Sequence, residues 1–282
     1  MNYKMHDNGW TVIITDLDLR TATQEDINHI ARLIATHTCV VVRNQTLNLD
    51  EEVRVVNMFK DPERKFTTDD PMYRKVVIPG SDDKVIRVTG ELNEHGEQGL
   101  AGEIDDLDWH CNEPASPTRK EIVWLYALQG SAGSVTTWNN NVLSYADLDQ
   151  ATKDMLDPLE AIVGYDADRM HNINTHGLET YINDEYTPKI VRTNIAGNKG
   201  LYFPFLQIFG FKGKTEEESK HILKTIGEHT IQPKYCYDHH WQDGDILISE
   251  QWLGIHKRWK FENMATRMLH RAAFDFPDQD YK

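Results

Sequence analysis

Apolar residues recur at helical spacing from about Thr23 to Thr36, where Ile27, Ile30, Ala31 and Ile34 fall on one face. Thr23 stands where an N-cap is needed. The run Cys39-Val40-Val41-Val42 is short, apolar and rich in β-branched residues, which predicts a buried strand. From Asn48 to Phe59, Leu49, Val53, Val56 and Phe59 share a face and predict a second helix. The opening of the chain therefore reads strand, helix, strand, helix. Between Phe66 and Ala101 the pattern turns polar and Gly-bearing, with a short strand at Lys84 to Val88. Ile122 to Leu128 and Ser134 to Trp138 predict buried strands. Tyr145 to Leu159 predicts a helix through Leu148, Met155, Leu156 and Leu159, and short strands and turns follow to about Phe211. Thr215 to His229 is a strong helical pattern: Thr215 caps it, Glu216 to Glu218 complement its dipole, and Ile222, Leu223 and Ile226 face inward. Tyr235 to Trp241, Asp245 to Ser249 and Met268 to Phe276 predict closing strands.

Many short strands with few helices, and no alternation of strand and helix, predict an α+β chain that is mainly β. A sandwich or jelly roll with helices packed outside accommodates this pattern. No Pro-, Ser- or Gly-rich linker divides the chain, so one domain over residues 1–282 is expected. At 282 residues the chain can bury a core without disulfides or a structural metal. The net charge of −15 argues against nucleic acid or an anionic membrane as partner, since both want clustered Lys and Arg. Cys39, Cys111 and Cys236 are too scattered for a disulfide framework or a zinc knuckle and suit a reducing compartment. Met1 to Trp10 lacks the apolar stretch of a secretory leader, and no run approaches the ~18 apolar residues of a membrane span. A soluble, cytoplasmic protein is the expectation.

Of thirteen histidines, most need no special role. His29, His221 and His229 lie on predicted helices, His239 and His240 on a strand, and His171 and His176 in a polar, turn-rich stretch. Two stand in a different context. His110 lies within Leu107-Asp108-Trp109-His110-Cys111-Asn112-Glu113, just before a Pro-containing loop and a predicted strand. His256 follows a Gly244-Asp245 turn and a strand, and Arg267 and Arg271 come eleven and fifteen residues after it.

In this order, these pieces resemble the taurine dioxygenase-like family of iron(II)/2-oxoglutarate oxygenases. The resemblance runs from Asp16 to Arg20, through Arg43-Asn44-Gln45, to the last strand. Its most specific parts are Trp109-His110, Gly244-Asp245 before His256, and the spacing from His256 to the two arginines. It implies a double-stranded β-helix (jelly roll) core with flanking helices, Fe(II) as metal, 2-oxoglutarate as co-substrate, and O2 and a small molecule as the other reactants. It also allows a homo-oligomer. By resemblance His110 and His256 are metal ligands, and Arg267 holds the far carboxylate of 2-oxoglutarate. Thr136 assists, with Thr137 as the alternative if the register slips by one. Arg271 matches the family's second arginine, which lies close to substrate. The loop from Arg87 to Asp106 is the expected lid.

The chain departs from the family at one position. The family carries His-x-Asp or His-x-Glu, and residue 112 is Asn. Such a site wants two imidazoles and a carboxylate on one face of the metal. Asn112 can offer a neutral amide oxygen as third ligand. Asp108, two residues before His110, or Glu113 could instead supply the carboxylate, although strand alternation turns Glu113 away. A halide could fill a vacant position, as in related iron halogenases. A carboxylate-binding protein without catalysis is the remaining alternative.

Overall fold

The computed structural model describes residues 1–61, 76–117, 120–166 and 181–281. Its strands and helices follow one another as β1 (Tyr3–Met5), β2 (Val12–Ile14), α1 (Gln24–His37), β3 (Cys39–Val42), α2 (Leu49–Val56), β4 (Val85–Val88), β5 (Leu107–His110), β6 (Ile122–Gln129) and β7 (Val135–Asn139). The chain continues through α3 (Asn141–Ala146), α4 (Gln150–Leu156), β8 (Ala161–Tyr165), β9 (Tyr181–Asn183), β10 (Val191–Thr193), β11 (Lys199–Leu201), β12 (Ile208–Phe211) and α5 (Glu216–Thr230). It closes with β13 (Cys236–His240), β14 (Ile246–Glu250), β15 (His256–Arg258) and β16 (Met268–Phe274). The protein is thus mainly β.

The larger sheet has the order β1-β2-β3-β14-β6-β16-β4, and a four-stranded sheet has the order β13-β7-β15-β5. Successive strands alternate between them: β4 and β6 lie in the larger sheet, β5 and β7 in the smaller, and β13 to β16 continue that exchange. β6, β14 and β16 are central strands with buried residues on both faces, which explains the long apolar run of β6. One face packs against α1 and α2 through Ile27, Ile30, Ile34, Val53, Trp124 and Phe274. The opposite face looks toward the smaller sheet, and the cavity lies there, lined from the larger sheet by Val88, Val123, Leu125, Leu269 and Arg271.

The helix ends obey local chemistry. Thr23 with Asp26, Asn48 with Glu51 and Thr215 with Glu218 each form a reciprocal capping box. The single helix expected over Tyr145 to Leu159 is instead two short ones, α3 and α4. Each has its own cap, Asn140 and Asp149, so two starts compete where one helix was read. Among the described residues no helix is long and apolar enough to cross a membrane.

Two segments noted in the sequence meet in space. Gly244 has φ +90°, and a Cβ there would lie 2.8 Å from the Gln45 carbonyl oxygen, so the turn requires glycine. The Gln45 N–H donates to the Gly244 carbonyl at 2.7 Å. Asp245 is buried, pairs with Arg43, accepts the Gln242 N–H at 2.8 Å and lies 3.3 Å from His239 Nε2. Arg43-Asn44-Gln45 and Gly244-Asp245 therefore join the end of β3 to the start of β14. The role of His239 is structural: it is fully buried, next to Asp245 and Tyr237.

One carboxylate outside the cavity makes stability depend on pH. Burial, with help from Glu121, raises Asp275 to about 6, against the pull of the Glu121 N–H, which donates to it at 3.0 Å. A raised acid is favoured in its protonated form by the fold. Its contribution is full below the unfolded value near 4 and is lost as pH rises through 6. Asp275→Asn should therefore gain about 1 kcal/mol over wild type at pH 8 and nothing at pH 4, the full shift being discounted for partial exposure. Thermal melts of both proteins at the two pH values check this, and an equal difference at both would refute it.

Candidate active site

The four-stranded sheet brings the sequence candidates together. β15 pairs with β5 on one side and β7 on the other, and His256 stands opposite both His110 and Trp138. The His110 and His256 rings lie 4.2 Å apart between centroids, and His256 stacks on Trp138 at 5.5 Å and 17°. His110 Nδ1 donates to the Asp108 carbonyl oxygen at 2.6 Å. That bond sets the ring orientation and leaves Nε2 with its lone pair for a ligand, as in metal-binding histidines generally. Burial pushes His110 down to about 4, and the charges of Arg271 and Arg258 act in the same direction. The imidazole is thus neutral at pH 7, the form that can coordinate a metal.

Asn112 lies just past the end of β5, half-buried, and lines the same cavity as His110 and His256. Its amide makes no hydrogen bond to another described residue, so its oxygen is uncommitted. Both alternative carboxylates are paired with lysines. The register between β15 and β5 shifts: His256 faces His110, but Arg258 faces Leu107. This bulge gives β5 one extra residue and breaks the alternation. Leu107 and His110 therefore both reach the cavity, and Asp108 instead pairs with Lys257 at 3.5 Å. The expectation that Asp108 shares the His110 face fails for that reason. Glu113 borders the cavity, but its carboxylate is paired with buried Lys120 at 3.0 Å. Among the described residues, no three His, Cys, Asp or Glu side chains gather into a metal-binding cluster. With Asn at 112, a site of this kind holds only two such residues.

Thr136 faces the cavity, and its Oγ1 accepts the Trp241 Nε1–H at 2.9 Å, which leaves its own O–H to donate. Thr137 faces away: its hydroxyl donates to Asp238 at 2.5 Å and accepts from Trp259 at 2.8 Å. The register favours Thr136. Arg267 is 1% exposed, and its Nε and Nη1 have no hydrogen-bond partner. Burial, and then the charge of Arg258, push it down to about 9, so it remains a cation at pH 7. A buried cation with open donors is an anion site. Arg271, 4% exposed, projects from β16 into the same space. Leu100 and Ala101, from the segment expected to act as a lid, line the cavity as well, while Val88 of that segment lies on β4. His171 and His176 lie outside the described residues.

The cavity can therefore hold a metal ion between two imidazoles and an amide, beside an organic anion reaching a buried guanidinium. These residues fit Fe(II) and 2-oxoglutarate. Comparison with known proteins gives the class and then the family. Over 244 residues the chain is 22% identical to the alpha-ketoglutarate-dependent 2,4-dichlorophenoxyacetate dioxygenase of Burkholderia sp. (strain RASC), covering 83% of this chain and 80% of that protein. It is 21% identical over 215 residues to pentalenolactone F synthase of Streptomyces arenae, covering 68% and 70%. The crystal structure of AAD-2 in complex with Mn(II) and N-oxalylglycine has the same fold, with a TM-score of 0.79 at 18% identity over 97% of this chain and 96% of that one. A taurine dioxygenase from Burkholderia xenovorans gives 0.70 at 16% identity, over 94% and 85%. Residues 7–273 match the taurine catabolism dioxygenase TauD, TfdA family, and the chain belongs to it. The protein is accordingly a 2-oxoglutarate-dependent dioxygenase of a family that uses Fe(II) and 2-oxoglutarate.

Proposed function

We propose that this dioxygenase hydroxylates a C–H bond of a small molecule and converts 2-oxoglutarate to succinate and CO2. The observation that carries the proposal is the pair of facing imidazoles, 4.2 Å between centroids, in one cavity with the buried, open-handed Arg267. In this reading His110, Asn112 and His256 hold the iron, Arg267 and Thr136 hold the far carboxylate of 2-oxoglutarate, and Arg271 faces an acidic group of the substrate. Bound iron and 2-oxoglutarate supply the activation of O2. The chain's own residues orient and exclude. The Asp108 carbonyl fixes one imidazole and Trp138 supports the other. Val88, Val123, Leu125 and Leu269 keep water from the reacting centre.

The strict exchange of β4 to β7 and of β13 to β16 between two facing sheets supports a double-stranded β-helix core. The family match over residues 7–273 supports a single domain spanning 1–282. A second reading, an iron halogenase, is favoured by one observation: residue 112 brings no carboxylate, so an anion could take that position. It requires chloride in the product. The direct test of the proposal is succinate formation from 2-oxoglutarate with Fe(II) and O2. Succinate should appear even without a prime substrate, slowly and uncoupled. A protein that binds 2-oxoglutarate but never forms succinate would be a carboxylate-binding protein instead.

A further inference from the structure

The cavity contains a third arginine that the reading above does not use. Arg258 lies two residues after His256 on β15, on the same side of the strand, and lines the cavity. It is 4% exposed. Its Nη1 reaches Met264 Sδ at 3.6 Å, while its Nε and Nη2 have no hydrogen-bond partner. No carboxylate among the described residues comes within ion-pair distance of it. Glu103, Asp105 and Asp106 act on it only from further away. Its position in the sheet is specific: Arg258 stands directly opposite Thr136 on β7. Arg267 lines the same cavity, close enough for the charge of Arg258 to act on its guanidinium. Two buried guanidinium groups lining one cavity, each with open donors, are costly unless an anion binds to them. A carboxylate has about four acceptor sites and can take donors from both.

We propose that Arg258 joins Arg267 and Thr136 in a clamp that grips the far carboxylate of the oxo-acid co-substrate with two guanidinium groups. This rests on the reading of Arg267 and Thr136 as the co-substrate site. The clamp makes the far acid group the main determinant of co-substrate choice. It also leaves Arg271, which faces His110 from the other sheet, for the substrate.

The experiment is titration calorimetry on Mn(II)-loaded protein, which binds without turning over. The ligands are 2-oxoglutarate and 2-oxopentanoate, which has the same chain without the far acid. Arg258→Met keeps the side-chain bulk and removes the charge. It should weaken 2-oxoglutarate roughly 10- to 100-fold, as expected for lost hydrogen bonds to a charged group, and leave 2-oxopentanoate unchanged. Arg258→Lys, the fallback should the Met variant not fold, should weaken it less, because a point charge replaces a fork. If either folded variant binds 2-oxoglutarate within about twofold of wild type while Arg267→Gln loses it, the clamp is wrong and the site stands. Equal losses for both oxo acids would also overturn the clamp. If Arg267→Gln binds normally, the underlying site is wrong as well.

Discussion

His256→Ala is expected to lower succinate formation by roughly three orders of magnitude or more and to abolish tight Fe(II) binding. The size follows from the donor set. A site with two imidazoles and a carboxylate keeps two strong ligands when one histidine is lost. The proposed site would keep only His110, with the neutral amide of Asn112 beside it, because Asp108 is paired with Lys257 and Glu113 with Lys120. Loss of groups that merely orient metal ligands already costs ~10- to 100-fold, and a direct ligand costs more. The fold should survive, since His256 lies on the cavity wall and its backbone pairing with β5 and β7 does not depend on the side chain. A variant with an unchanged melting temperature in metal-free buffer and turnover within tenfold of wild type would remove His256 from the ligand set.

Asn112→Asp should tighten Fe(II) by roughly 10-fold or more, measured by metal titration at pH 7. The amide makes no hydrogen bond to another described residue, so no such bond is lost by its replacement. The new carboxylate would meet a dipositive ion in a cavity that Arg271 also lines. It would also add the one negative charge that the family pattern has and this chain lacks. The same variant separates the two catalytic readings. A hydroxylase should keep hydroxylating and be insensitive to chloride before and after the change. A halogenase should need chloride in the wild type and become a hydroxylase in the variant. Unchanged iron affinity would show that residue 112 does not reach the metal.

Much of this architecture was legible because it is written locally. The helices α1 and α5 declare themselves through apolar spacing and through Thr23 and Thr215, and the central strands through their β-branched runs. The site was legible through spacing: His110 before a strand, then His256 with Arg267 and Arg271 at fixed offsets. What was not legible depends on contacts between distant segments. The bulge that turns Asp108 away from His110 exists only in the pairing of β5 with β15, so alternation along β5 alone pointed the wrong way. The division into α3 and α4 had a visible signal in Asn140 and Asp149, outweighed by the apolar pattern across them. Arg258 was available from alternation out of His256 and was overlooked. A basic residue in Lys257-Arg258 reads as surface until the sheet pairing sets it opposite Thr136.

The negative net charge describes the surface, and the cavity runs against it, with Arg258, Arg267 and Arg271 buried around two imidazoles. That contrast suits a pocket that takes in a dianionic co-substrate beside a cation.

The measurement that bears most directly on this account is the visible absorption spectrum of the Fe(II)-loaded protein, recorded without oxygen as 2-oxoglutarate is added. Chelation of the metal by the oxo acid within the His110, Asn112 and His256 site predicts a weak charge-transfer band that saturates at one equivalent and fades on exposure to O2 as succinate forms. Absence of any band with both iron and 2-oxoglutarate saturating would contradict it.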